Sequence, residues 1–293
     1  MTFDINELAF PDKMSYLQHI VAPRPICFAS TINKKGEINL SPFSFFNLFS
    51  YTPSIVVFSP TRRVRNNTEK DTLLNVKEVP EVVINMVDYD MVQQQSLASC
   101  EYPGEINEFI KSGFTEEKAT VVSPPMVKES KAKLECKVLE VKPLGENGGA
   151  GTLVICEVLK IHIDDSLLDE NKKPDQRRFN QVARLGGNWY SKADQSSLFE
   201  VEKPNVQLGI GVDGLPESVR NSKILTGNNL GQLANVEAIP AINPAFDDAH
   251  LKQIIQYYSV SPEEMEKELH IYAKKLLEEG KPGEAWQVLL SAN

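Results

Sequence analysis

Two long strand candidates, Lys131 to Val141 and Thr152 to Ile163, are separated by the glycine-rich stretch GENGGAG, and they constrain the fold more than any other feature. Joined by so little chain, they pair as one long hairpin with a wide turn. Ser54 to Ser59, bounded by prolines, and Glu81 to Val87 read as further strands. Asp71 to Lys77 reads as a helix that Pro80 ends, and Tyr89 to Cys100 as another. Five or six strands with few helices would expose long edges unless the sheet closed on itself. The expected fold is therefore mainly β (α+β), a closed barrel over residues 1–199.

The character changes after about residue 195. Ser261-Pro262-Glu263-Glu264 has the pattern of a capping box with proline at the first helical position. Met265, Leu269, Tyr272 and Leu276 follow on one face, and Gly280 ends that helix. Trp286, Val288 and Leu289 fall in a last short helix. Residues 200–293 are expected to form an acidic, helical C-terminal extension. No internal repeat stands out.

Three segments carry candidate chemistry. From Arg24 to Asn47 the chain reads RPICFASTINKKGEINLSPFSFFN. It predicts two strands around the reversal Asn33-Lys34-Lys35-Gly36, whose glycine allows positive φ. Its end places Ser41, Ser44 and Asn47 between Phe43, Phe45 and Phe46, with Pro42 breaking the ladder. Backbone N–H groups, hydroxyls and flat apolar faces together suit a planar heteroaromatic ligand with polar edges, such as a flavin. The same residues are also what a hairpin filling a β core would use. Second, Thr61 to Thr72 packs Arg62, Arg63, Arg65 and Lys70 before a helix start, which reads either as a phosphate cradle or as a solvated basic loop. Third, Ala183 to Tyr190, with Gly186 and Gly187 paired, permits close backbone approach to a bound ring or simply packs its aromatics on the barrel.

Other signals narrow the classes. Net charge is −9 and pI about 5.1, which disfavours binding driven by nucleic-acid phosphates. No apolar run approaches the roughly 18 residues that suggest a membrane span, and MTFDINELAF has no signal-peptide pattern, so a cytoplasmic protein is expected. Cys27, Cys100, Cys136 and Cys156 form no CxxC, and His19, His162, His250 and His270 have no ligand spacing, so reduced thiols and no metal are expected. Gly209 to Gly214 matches GxGxxG. Val206 to Ile210 is a poor strand, so those glycines are expected to form a turn opening a helix near Pro216.

The ordered set PRPI, ST, NLSPFSFFN, VVFSP, KDTLLNV, EVVINMV, SGFT, KAKLEC, LVICEV, IHIDDSLLD and VARLGGNWY over about residues 10–195 resembles the flavin reductase-like family, FMN-binding split barrels of the flavoredoxin type. The resemblance implies an NADH- or NADPH-dependent flavin oxidoreductase that passes electrons to a second acceptor, a small molecule or a protein. A flavin-binding electron carrier or sensor is the alternative. It implies that Arg24, Pro25, Ile26, Cys27 and Ser41, Pro42, Phe43, Ser44, Phe45, Phe46, Asn47 line the isoalloxazine, largely through backbone atoms. Ser59, Lys70, Asp71 and Thr72 would lie near the FMN phosphate, and Asn188 and Tyr190 close by from the same or a neighbouring subunit. It names no catalytic acid or base, and it implies a homodimer with the site at the subunit boundary. Cys27 and the Lys34-Lys35-Gly36 turn depart from the usual pattern. The helices after residue 200 lie outside the resemblance; their stripe would pack on the barrel or form an arm over the flavin mouth. A chain ending near Lys203 is expected to keep the fold.

Overall fold

Phe43 and Phe46 belong to strands at opposite ends of one seven-stranded antiparallel sheet, yet only two residues separate them. In the computed structural model, which describes residues 1–201 and 208–291, the strands are β1 (Arg24–Pro25), β2 (Cys27–Ile32), β3 (Ile38–Phe43), β4 (Phe46–Tyr51), β5 (Ser54–Phe58), β6 (Glu81–Met86), β7 (Glu116–Glu117), β8 (Met126–Val127), β9 (Ala132–Pro143), β10 (Thr152–Ile163), β11 (Gln181–Arg184) and β12 (Tyr190–Ala193). The sheet runs β3-β2-β6-β9-β10-β5-β4. Three Cα–Cα steps span about 11 Å at most, so the Ser44-Phe45 link brings the two edge strands together and the sheet must curl. Bulges at Ile155/Cys156 and Val158/Lys160, where β10 pairs with β9, bend the longest strands. The expected hairpin is thus present, and its curvature serves closure.

Pro42 does not break the ladder. It lies inside β3 opposite Phe28, because β3 ends the strand order and has a side that needs no N–H donor. On β2 both faces are covered: Cys27 and Ala29 join a core with Phe43, Phe58, Ile84 and Cys156, while Phe28 joins a second core with Leu40, Phe109 and Phe114. Helices α1 (Phe10–Ile20), α2 (Asp71–Glu78), α3 (Val92–Ala98) and α4 (Glu108–Ser112) complete this part. The predicted helix from Tyr89 is a single 3-10 turn followed by α3.

The chain divides into two compact units, Met1–Phe199 and Glu200–Asn293. Val206, in the segment beside the GxGxxG glycines, and Lys203 lie outside the described residues. The glycines form the expected turn, with Gly211 at φ 75°. The second unit holds α5 (Glu217–Arg220), α6 (Gly227–Ala234), α7 (Ala249–Tyr257), α8 (Pro262–Glu278) and α9 (Pro282–Leu290). Ser261 precedes α8 without a side-chain cap, since its backbone angles depart from the usual N-cap geometry, so the capping box is not formed. Neither packing expected for the α8 stripe is needed to bury it. Leu269 and Leu276 lie among Leu233, Ala285, Trp286 and Leu289, with Met265 and Tyr272 against them. The Trp286 indole donates to the Leu233 carbonyl at 3.2 Å. Each unit therefore buries its own core, and a chain ending near Lys203 should be soluble and melt cooperatively. An insoluble product, or one without a melting transition, would show that the first unit depends on the second.

Candidate functional site

The two-residue link that closes the sheet is also where the predicted ring-binding residues gather. The Ser59 N–H, just past β5, donates to the Phe45 carbonyl at 2.8 Å and fixes the link. Phe43 packs in the barrel core with its ring 5.2 Å from Phe58, while Phe45 is exposed and Ser44 and Phe46 are half-buried. Ser41 and Pro42 are half-buried on β3, and the exposed Asn47 accepts from the Leu48 N–H at 2.8 Å. Pro25 lies on β1 beside Ala183. Ile26 and Cys27 point into the two separate cores, so only their backbone is available to a ligand. Burial pushes the Cys27 thiol far up, which makes it inert.

In the basic loop three cations are paired with carboxylates and Lys70 is not. Arg62 meets Glu69 at 3.2 Å, Arg63 meets Asp71 at 3.1 Å, and the exposed Arg65 meets Glu101 at 3.4 Å. The Lys70 side chain, alone of the four, makes no ion pair or hydrogen bond among the described residues. Its ammonium stands 5.5 Å from the Phe43 ring centroid. Burial, and then Arg63, pull its pKa below the ordinary lysine value, against the opposing pull of Glu101 and Asp71. A half-buried ammonium over an aromatic ring, at the N-terminus of the eight-residue α2, is a place where an anion would be favoured.

The wide turn of the long hairpin sets this loop in place. The Arg62 N–H donates to the Ala150 carbonyl and the Gly149 N–H to the Arg62 carbonyl, both at 2.9 Å. A Cβ on Gly148 would meet the Val64 backbone at 3.0 Å, so the close approach requires glycine. Thr72 takes a different part from the one expected. It is buried, and its hydroxyl donates to Asn39 Oδ1 at 2.6 Å, while Asn39 Nδ2 donates to Glu108 at 3.0 Å. That network ties α2 to β3 and α4. Asp71 is held by Arg63.

Arg24 is a clamp. Its guanidinium donates to the carbonyls of Gln18 and Val21 at the end of α1 and to the Leu185 carbonyl at 2.9 Å, 6.0 Å from the Phe45 centroid. Its Nε has no partner, and burial, then Arg184, lower its pKa. Asn188 and Tyr190 line a separate cleft of about 540 Å³ between α3 and the β11–β12 ribbon, together with Tyr89, Gln93, Arg184 and Lys192. Of those four only Arg184 falls in a segment singled out from the sequence, Ala183 to Tyr190. Their meeting depends on strand pairing between distant residues, such as Arg24 with Arg184, which no local pattern reveals.

A seven-stranded antiparallel sheet closed by a two-residue link defines a split β-barrel. The chain belongs to the family of the flavin reductase like domain, whose model matches residues 20–182. An uncharacterized protein of Aquifex aeolicus is 38% identical over 193 residues, 66% of this chain and 96% of that protein. Nitrilotriacetate monooxygenase component B from Bacillus cereus superposes with a TM-score of 0.63 at 27% identity, over 69% of this chain and 99% of that one. The 2-nitrobenzoate 2-nitroreductase of Pseudomonas fluorescens gives the same TM-score at 24% identity, over 72% and 100%, a likeness of fold. The second unit lies beyond the family match. Among the described residues no helix is long and apolar enough to cross a membrane.

Proposed function

We propose that the barrel unit binds FMN and acts as an oxidoreductase that takes hydride from NADH or NADPH and passes electrons to a second acceptor, small molecule or protein. The observation that carries the reading is Lys70, a largely desolvated cation with no carboxylate at ion-pair distance among the described residues and with the Phe43 ring beside it. The residues present fit the group. Lys70 would hold the phosphate, assisted by the backbone at the start of α2 and by Ser59. The backbone from Ser41 to Asn47 and the faces of Phe45 and Phe46 would hold the ring. When bound, the flavin supplies the redox chemistry, because hydride moves between carbon and nitrogen without a protein acid or base. The chain's own work is to orient the ring, exclude water from one face and leave the other open to the donor. The solved relative at 27% identity is one component of a monooxygenase, which supports transfer to a further acceptor.

The reading includes a homodimer. α1 has no buried residue, and Ile20, Phe49 and Tyr51 are 74%, 67% and 83% exposed. A second copy of the chain would cover these apolar side chains. The test is one preparation in three measurements. Purified protein should be yellow or should quench FMN fluorescence on titration. Anaerobic mixing with NADH or NADPH should bleach the flavin absorbance, and light scattering should give twice the 32.7 kDa chain mass. Flavin binding without bleaching by either nucleotide would make the protein an electron carrier. No flavin binding at all would sink the proposal, and a monomer mass would remove the dimer from it.

A further inference from the structure

β1 and β11 place Arg24 directly opposite Arg184, and like charges in that position are unfavourable. Arg24 spends its hydrogen bonds on main-chain carbonyls. Arg184 does not. Its guanidinium lies 4.5 Å from the Tyr190 ring centroid and makes one long hydrogen bond, 3.3 Å, to the Trp189 carbonyl. No carboxylate of the described residues is within ion-pair distance of it. Before it opens the cleft of about 540 Å³. On the same lining, Lys192 stands 4.6 Å from the Tyr89 ring centroid, but Asp194 at 3.0 Å already neutralises it. Gln93 and Asn188 add amides to the wall.

The cleft thus offers one uncompensated planar cation, two tyrosine rings and two amides. The guanidinium fork matches an oxyanion in two contacts, and the rings and amides match a flat heterocycle with polar edges. The volume lies in the range that buries a drug-sized ligand, more than a single-ring acid would fill. A nucleotide carries both parts. A phosphate monoester holds close to two negative charges at neutral pH, whereas each phosphorus of a pyrophosphate bridge holds one. An uncompensated arginine therefore favours the monoester.

We propose that this cleft receives the adenosine end of the electron donor, with the 2′-phosphate on Arg184, so that NADPH is the donor. The inference rests on the functional reading above only for the identity of the donor. The β1–β11 pairing sets Arg184 of the cleft opposite Arg24, whose guanidinium is 6.0 Å from the Phe45 ring, so a dinucleotide laid along this path would join the cleft to the aromatic link.

The test is calorimetric titration of the full chain, FMN-saturated and flavin-free, with NADP⁺, NAD⁺, 2′-AMP and benzoate. NADP⁺ should bind about 10- to 100-fold more tightly than NAD⁺, the scale of charge-assisted hydrogen bonds. Arg184→Gln should abolish that preference while leaving NAD⁺ affinity unchanged, and Arg184→Lys should keep part of it. Tyr89→Ala, at a ring that is 53% exposed, should weaken both nucleotides without disturbing the fold, which covers the case of a misfolded Arg184 variant. Equal affinities for NADP⁺ and NAD⁺, a preference that survives Arg184→Gln, or binding of benzoate but not of nucleotides would each overturn the assignment. So would displacement of 2′-AMP by FMN in the flavin-free chain. Binding of 2′-AMP that is lost in Arg184→Gln upholds the cleft even in a preparation that takes no FMN. FMN binding without 2′-AMP binding overturns the cleft alone.

Discussion

Replacing Lys70 by methionine is expected to weaken FMN binding by about 1.5–3 kcal/mol while leaving riboflavin affinity nearly unchanged, the loss being that of a charge-assisted hydrogen bond to phosphate. The same change should leave the flavin-free protein as stable as before or more so. The reason is the direction of the lysine's pKa. Burial, and then Arg63, hold it below 10.5 in the folded chain. Between the folded and unfolded pKa values the unfolded chain binds more protons, so stability rises with pH through that window. Below it the folded chain carries an ammonium whose desolvation Glu101 and Asp71 only partly offset. Methionine removes that penalty and packs its thioether on the Phe43 ring. Fluorescence titrations with FMN and riboflavin, and urea melts of the flavin-free proteins near neutral pH, read both halves. Equal losses for the two flavins would mean that Lys70 shapes the pocket and does not read phosphate. A variant much less stable than the parent would mean that the ammonium has a partner in solution.

Much of the barrel was legible because its strands are long, or bounded by glycine and proline. The Lys131–Ile163 hairpin, the strand before Pro60 and the helix ended by Pro80 follow local rules of pattern and punctuation. The second unit was legible as helices, but the surface its stripe packs on was not. A stripe such as Leu269 and Leu276 announces that it must be buried and does not say against what, and Trp286 supplies that surface from within the same unit. Pro42 misled for a related reason. Whether proline breaks a ladder depends on whether the strand has a neighbour on that side, and strand order is a tertiary fact. In the candidate site the residue types were visible, yet their division of labour was not. Arg62, Arg63, Arg65 and Lys70 look alike as a basic run. Only the positions of Glu69, Asp71 and Glu101 separate the neutralised arginines from the lysine that is left over.

Glu135 carries the second large effect, and nothing in KAKLEC marks it. Its carboxylate is fully buried on β9 and accepts from the N–H groups of Thr120, Val121 and Val122, from the Thr120 hydroxyl and from His162 at 2.6 Å. Burial by itself pushes the carboxyl pKa up. The hydrogen bonds from Thr120, Val121 and His162 outweigh burial and bring it down to about 2, from 4.5. The loop at 120–122 is therefore held chiefly by this side chain, with Lys160 donating to the Thr120 hydroxyl at 3.0 Å. Glu135→Ala would take the shared acceptor from the main-chain donors of this partly exposed loop and should cost about 1–3 kcal/mol, a sizeable part of a domain's total stability. The pH dependence has a definite sign. A depressed folded pKa gives stability that is complete above about 4.5 and disappears as pH falls from there toward 2. Glu135→Gln keeps the shape, cannot ionise, and turns one of the two oxygens into a donor facing donors. It should be less stable than the parent at pH 7, and the gap should narrow steadily below pH 4.5. Urea midpoints of the two proteins between pH 7 and pH 3 decide the matter. Parallel curves over that range would show that the Glu135 carboxylate contributes no acid-sensitive stability.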